Sequence, residues 1–469
     1  MKSKSLLLIT IPVLGLVCVA QASEGEFESV PVTLAAADIV PDNLLKGEHH
    51  TVRGEVENDG YMNHYTIDSP FGEFTASSDL QLAILVQEIH AIAELKEVSR
   101  TEAYAESLQK AVTSPLYSAT NVITNPVKTV KMVPGSVAQL FKRSIRRIGD
   151  TADWVIEEVE DLSSDDEDGE SSSASDTVDK GVEAATELGL KEVGYTRARR
   201  EWARRLGVDP YTTNEILNEE LDRVSWASAI GGFSTRFVPI PRLNELDYLG
   251  EVEDLVWSMD PLDLRMRNEE ELREVGIEEE KIAALYENGN LGPVLMTGLV
   301  ESVVALGEVE GREAIVDLAI AAETYELSEF QVRNAGYLAR LNGDDRIASI
   351  IPGDRVVVAV LKDGRVIAPI ALNYLLWTES FESAVDQGVA MIRTRASGEI
   401  EIHLEGGASE VAKQNLEELG IKVRTRAFTN VVLLRPSKTA ALATGCSRQP
   451  LRRSTYSASH QSRSKIFQR

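Results

Sequence analysis

Hydrophobic and polar residues alternate along residues 51–76, which is the pattern of β-strands with one buried face. Two turn sequences interrupt the alternation, Asn58-Asp59-Gly60 and Ser69-Pro70-Phe71-Gly72. Both combine residues that favour tight turns. The segment is therefore predicted to form a three-stranded meander.

The hydrophobic period changes from Leu80 to Val112, where apolar residues recur at intervals of three and four. This spacing is typical of an amphipathic helix. We expect the helix to cover the apolar face of the meander, so that the two form a small α+β unit.

The middle of the chain is predicted to be helical, because the same three-and-four spacing returns in a series of short segments. These segments are Glu192–Leu206, Thr213–Ile230, Leu246–Trp257, Asn268–Glu274, Glu278–Tyr286, Pro293–Ala305, Arg312–Tyr325 and Ser328–Leu341. Short helices with short breaks between them indicate an irregular bundle.

Strand patterns return near Ile350, where two β-rich runs flank the turn Lys362-Asp363-Gly364 and predict a hairpin. Residues 399–404, 409–419 and 421–427 then have the patterns of a strand, a helix and a strand. One arrangement places the hairpin in the same sheet as this unit. The predicted fold class is α+β: an N-terminal β-meander plus helix, a helical middle region, and a C-terminal β-hairpin and strand-helix-strand unit.

The N-terminus has the order of a cleavable secretory signal: Lys2 and Lys4, an apolar run, and small residues at Ala20 and Ala22. We expect a mature start at Ser23 and a periplasmic or secreted protein. No later segment has the run of about 18 apolar residues that a membrane helix needs. After cleavage, no transmembrane helix is expected.

Composition divides the chain into six predicted segments. They are a signal peptide (1–22), a small α+β domain with a basic amphipathic helix (23–161), an acidic Ser-rich linker (162–180), a helical region (181–349), an α+β region (350–436) and a disordered basic tail (437–469). The basic helix, at residues 136–149, is expected to pack on the core with its cationic face solvated. Contact with a membrane surface is the alternative.

The chain is strongly acidic, with a formal net charge of -27, which argues against nucleic acid as a partner. Its two cysteines are Cys18 and Cys446. Removal of the signal leaves Cys446 alone, so no disulfide can form within the mature chain. The oligomeric state is not indicated.

The sequence holds no Gly-x-Ser-x-Gly elbow or other catalytic motif, so we assign no catalytic residue and expect no cofactor. His49, His50 and His64 lie in or before the meander, and His90 lies in the following helix. Their spacing fits none of the usual zinc patterns, so no metal site is expected. His403 stands alone on a predicted strand.

Two further groups of charged residues stand out. Asp209, Asp260 and Asp263 lie beside prolines, where a carboxylate can be aimed by a turn, although a turn or cap role is expected. Arg197, Arg200 and Arg204 form a stripe on one helix. Their expected partners are Glu215, Glu219 and Glu220 on the next helix; an anionic envelope ligand or a protein are the alternatives.

Two sequence segments resemble segments of uncharacterised exported proteins of Gram-negative bacteria. The first is Asp59-Gly60-Tyr61 with Tyr65–Gly72, and the second is Arg204–Thr212. The resemblance implies a periplasmic address and no assigned activity. Our first hypothesis is a non-enzymatic envelope protein that binds another envelope protein or an anionic surface through its cationic helices. The alternative is a periplasmic hydrolase with a carboxylate-based site between domains. A convergent pocket with buried, pKa-shifted carboxylates would favour the hydrolase.

Overall fold

The computed structural model describes residues 27–112, 194–231, 243, 246, 250–344 and 346–428. The predicted signal peptide, basic amphipathic helix, acidic linker and basic tail lie outside the described residues, as do Cys18 and Cys446. Among the helices that are described, none combines the length and apolar character needed to span a membrane.

The N-terminal part is an antiparallel sheet. Its strands are β1 (Val32–Ala35), β2 (Thr51–Val52), β3 (Glu55–Asn58), β4 (Asn63–Ser69) and β5 (Gly72–Ala76), with two short helices, α1 (Ala36–Ile39) and α2 (Asp42–Leu45), between β1 and β2. β4 pairs with β2, β3 and β5, and β1 pairs with β3. Both predicted turns are present, but residues 51–76 form four strands rather than three.

Two helices follow the sheet, α3 (Asp79–Ser99) and α4 (Glu102–Val112). The Ser78 side chain caps α3 by accepting a hydrogen bond from the backbone N–H of Gln81 at 3.0 Å. The prediction of one continuous helix is wrong at Arg100 and Thr101, where the helix breaks. α3 packs on the sheet as expected, and its buried side chains include Leu82 and Val86.

The middle region is a helical bundle, as predicted. It contains α5 (194–206), α6 (Glu215–Gly231), α7 (Gly250–Ser258), α8 (Pro261–Glu274), α9 (Glu279–Glu287), α10 (Pro293–Ala305), α11 (Glu313–Ile320) and α12 (Tyr325–Leu341), followed by a short 3-10 turn (Asn342–Asp344). α8 and α10 each begin with a proline, which suits the first turn because its N–H needs no partner there.

The C-terminal part is a mixed sheet with two helices. Its elements are β6 (Ile347–Ile351), β7 (Val358–Leu361), β8 (Val366–Ile370), β9 (Tyr374–Leu375), α13 (Glu379–Arg393), β10 (Ile400–Leu404), β11 (Gly407–Ala408), α14 (Glu410–Glu418) and β12 (Ile421–Arg424). The main sheet has the order β12-β10-β8-β7-β6, and β9 pairs with β11. The predicted hairpin, β7 and β8, therefore shares a sheet with the strand-helix-strand unit. The α+β fold class is confirmed.

Polar contacts connect the N-terminal unit, the helical bundle and the C-terminal sheet. In α12, Glu329 accepts hydrogen bonds from the Ser78 hydroxyl at 3.3 Å and from the Gln81 side-chain amide at 3.1 Å. Arg333, one turn later, pairs with Glu329 and with Glu405 after β10. One helix thus connects the N-terminal unit with the C-terminal sheet through buried charges.

Candidate functional site

A cavity of about 100 Å³ lies where α3, the loop between α5 and α6, and the helices α7, α10 and α12 meet. Its apolar lining consists of Leu80, Ile84, Val208, Leu246, Val294 and Leu295. Its polar lining consists of Gln87, Glu88, Asp209, Tyr211, Thr212, Thr213, Glu253, Asn290 and Tyr325. The described residues that line it include no lysine, arginine or histidine, so the cavity is acidic. It has room for several water molecules or a small organic group.

Glu88 projects into the cavity from the middle of α3 and is only 4% exposed. Its Oε2 atom accepts a hydrogen bond from the Asn214 side-chain amide at 2.9 Å, and its Oε1 atom accepts one from the Thr212 hydroxyl. Both partners belong to the loop between α5 and α6. Glu88 therefore fastens this loop against α3.

Asp209 lies in the same loop and is half-buried. Its Oδ1 atom accepts a hydrogen bond from the Tyr211 backbone N–H at 2.8 Å, which closes an Asx turn before α6. The predicted turn role of Asp209 is confirmed. Asp209 also lines the cavity.

Arg199 stabilises the same loop. This buried side chain donates to the carbonyl oxygen of Pro210 at 2.6 Å and also contacts Asn218 and Asp222 of α6. Trp257 adds a hydrogen bond from its indole N–H to the carbonyl oxygen of Val208 at 2.9 Å. The loop backbone is thus fixed by side chains from two helices.

Burial controls the ionisation of the acidic side chains that line the cavity. It raises the pKa of Glu88 to about 7, and the nearby charge of Asp209 adds to the increase. Burial also raises the pKa of Asp209 to about 6. Burial also raises the pKa of the Tyr325 hydroxyl, and the negative charges of Glu329, Asp209 and Glu88 add to this increase. At neutral pH the cavity therefore has carboxylates that would gain from a cationic neighbour or from a proton.

The arginine stripe does not form one exposed surface. Arg197 and Arg204 are exposed, but Arg200 is buried and pairs with Asp260 at 3.4 Å. Two of the three acids that we expected to pair with the stripe have other partners: Glu219 contacts Arg223, and Glu220 contacts Arg223 and Lys96. No ion pair of Glu215 is present among the described residues. Asp260 also caps α8 by accepting from the Leu262 N–H at 3.2 Å, as expected, and Asp263 lies in the first turn.

His403 has partners that its sequence position did not indicate. Its Nε2 atom donates to Glu401 at 3.0 Å, and its Nδ1 atom accepts from the Tyr337 hydroxyl at 2.5 Å. Glu401 is two residues away on the same strand, and Tyr337 comes from α12. All three side chains are buried, so the cluster is a satisfied polar link between helix and sheet.

The sequence prediction found Asp209 but missed Glu88. The signal for Glu88 is the pair Gln87-Glu88, which interrupts an otherwise apolar stretch of α3 and is fully enclosed in the fold. Buried acids of this kind are candidates for a functional site. Within the described ranges, no group of three or more histidine, cysteine, aspartate or glutamate side chains is arranged to hold a metal ion.

Comparison with protein-family models, with curated proteins and with solved structures finds no match to this chain. The geometry of the cavity is therefore the basis for a functional assignment.

Proposed function

We propose that the protein is an exported periplasmic binding protein that holds a small organic cation in the acidic cavity. The observation that carries the proposal is that Glu88 and Asp209 line the same cavity, whose described lining contains no basic residue. An ammonium group would be held by these carboxylates. The adjacent apolar residues suit a short hydrocarbon chain.

Export is proposed on the sequence of the first 22 residues, and it has its own test. Expression of the full chain in a Gram-negative host should release a product that starts at Ser23 into the soluble periplasmic fraction. Mass spectrometry of the purified protein gives the mature N-terminus. An uncleaved product in the cytoplasm would contradict the export proposal and leave the cavity proposal to be tested separately.

Binding is tested with two probes of similar size, butylamine and 1-butanol, because only the amine carries a charge. Butylamine should raise the midpoint of thermal unfolding more than butanol, and more at pH 8 than at pH 5. The pH dependence is expected because a cation binds best when Glu88, with its pKa of about 7, is ionised. Proton release during binding can be measured by calorimetry in two buffers.

The test variant is Asp209→Asn, which keeps the oxygen that accepts from the Tyr211 N–H. We expect it to weaken butylamine binding by about tenfold or more, the effect of losing a charge-assisted hydrogen bond. Glu94→Gln is the matched control, because Glu94 is exposed on the same helix as Glu88. Equal effects of amine and alcohol, or no loss in Asp209→Asn, would refute the cation site.

The second candidate function is hydrolysis, and the raised pKa of both carboxyls favours it. In this case Glu88, with a pKa of about 7, is the general acid, and Asp209, with a pKa of about 6, is the base. An amine-bearing ester would then be cleaved with a pH optimum between these two values. Tight binding of such an ester without turnover would favour the binding function.

A further inference from the structure

The fold brings three histidines together near the N-terminal sheet. His49 and His50 precede β2, and His90 lies in α3. The centroids of the His50 and His90 rings are 5.4 Å apart, and those of His49 and His90 are 6.2 Å apart. His64 lies apart from this group and pairs with Asp59 at 3.1 Å. We call His49, His50 and His90 the histidine cluster.

The hydrogen bond of His50 fixes which of its nitrogens can bind a ligand. Its Nε2 atom lies 3.0 Å from the carbonyl oxygen of Leu44. Because a carbonyl only accepts hydrogen bonds, Nε2 must carry the proton, and the neutral ring then has its lone pair on Nδ1. This Nδ1 atom is buried and has no hydrogen-bond partner among the described residues. A backbone carbonyl on the far nitrogen is the usual support of a metal-binding histidine.

Gly47 leaves a small space that two histidine nitrogens share. A Cβ atom at residue 47 would lie 2.8 Å from His50 Nδ1 and 3.4 Å from His90 Nε2.

The spacing of the His50 and His90 rings suits a shared metal ion. With zinc–nitrogen distances of about 2.0 to 2.1 Å, ring centroids on one tetrahedral ion are about 5 Å apart. The separation of His50 and His90 is close to this value, and that of His49 and His90 is slightly larger. As the three rings stand, the cluster is not arranged to hold a metal ion, so the His49 side chain must turn to complete a site.

We propose that the histidine cluster binds a divalent transition-metal ion of the zinc class, with His50 Nδ1 and His90 Nε2 as ligands and His49 as the third. Imidazole nitrogen is a ligand that suits zinc, copper and nickel. Water would complete the coordination. This site is separate from the acidic cavity and does not depend on the proposed function.

The proposal is tested on the metal-free full chain by calorimetric titration with zinc alone and by absorption spectra with cobalt. We expect one ion per chain and cobalt bands of a nitrogen-ligated site. His90→Ala should weaken binding by about tenfold or more, whereas His64→Ala should leave it unchanged. Gly47→Ala keeps all three histidines and should also weaken binding, because its methyl group occupies the shared space.

Circular dichroism of each variant shows whether it has folded, and Gly47→Ala keeps the test decisive if His90→Ala has not. Zinc affinity that is the same in wild type, His90→Ala and Gly47→Ala would overturn the site. Equal losses in His64→Ala and His90→Ala would also overturn it, because they indicate general surface binding.

Discussion

Replacing Arg333 with methionine is expected to lower the free energy of unfolding by about 3 to 5 kcal/mol, the usual cost of leaving buried charges without their partner. Arg333 lies between two carboxylates, Glu329 at 3.4 Å and Glu405 in direct contact. The Glu329 side chain is only 3% exposed and that of Glu405 is 19% exposed. Without the guanidinium, two negative charges would remain in the junction between α12 and the C-terminal sheet.

Arg355→Met is the matched control for Arg333→Met. The Arg355 side chain is 81% exposed and lies 3.9 Å from Asp354, which is itself almost fully exposed. Loss of such a pair should change stability by at most about 0.5 kcal/mol. Urea unfolding followed by circular dichroism measures both variants. Similar values for the two would show that the buried ion pairs do not hold the junction together.

Lower pH should restore part of the stability lost in Arg333→Met. Burial already raises the pKa of Glu329 in the wild-type protein, and the charge of Arg333 opposes this increase. Removing Arg333 therefore raises this pKa further. The carboxyl is then neutral over more of the acidic range, where it needs no cationic partner.

Elements that begin or turn at a proline or a glycine were predicted well from the local sequence. The bounds of α10, Pro293–Ala305, were predicted to the residue because a proline opens an apolar run. The β7–β8 hairpin followed from Asp363-Gly364, and Gly364 has the positive φ of +91° that such a turn requires. In contrast, α13 was missed. Its buried residues Phe381, Val385 and Ile392 do recur at helical spacing, but Gly388 in its interior disfavours a helix.

The candidate sites were harder to predict because they depend on distant parts of the chain. Asp209 was recognised through its local Asp-Pro turn, but its cavity exists only once α3 packs against that turn. The histidines were judged by helical spacing, which compares neighbours on one element. His50 and His90 belong to a loop and a helix 40 residues apart, and only tertiary packing brings their rings within 5.4 Å.

Replacing Glu88 with glutamine is expected to stabilise the protein at pH 8 and to have little effect at pH 4.5. The pKa of Glu88 rises from 4.5 to about 7 on folding. A carboxyl with a raised pKa favours the folded state while it is protonated, so stability is lost as the pH rises from about 4.5 through 7. The full effect is about 3 kcal/mol, from about 1.4 kcal/mol for each unit of pKa.

Glutamine reproduces the protonated form of Glu88. Its amide can donate to the Thr212 hydroxyl while its carbonyl oxygen accepts from Asn214, so both contacts of the loop are kept. Unfolding free energies of wild type and Glu88→Gln between pH 4.5 and 8 measure the difference. Asp209 faces the same space, and its raised pKa leaves part of the slope in both proteins. Glu94→Gln should follow the wild type throughout.

A loss of stability in Glu88→Gln at pH 8 would mean that the charged hydrogen bonds to the loop outweigh the cost of burying the carboxylate. The expected gain would instead mean that an ionised Glu88 destabilises the empty protein at this pH. An organic cation in the cavity offsets this charge, so saturating butylamine should reduce the gap between wild type and variant. The same measurement thereby connects the stability of the fold with the proposed ligand.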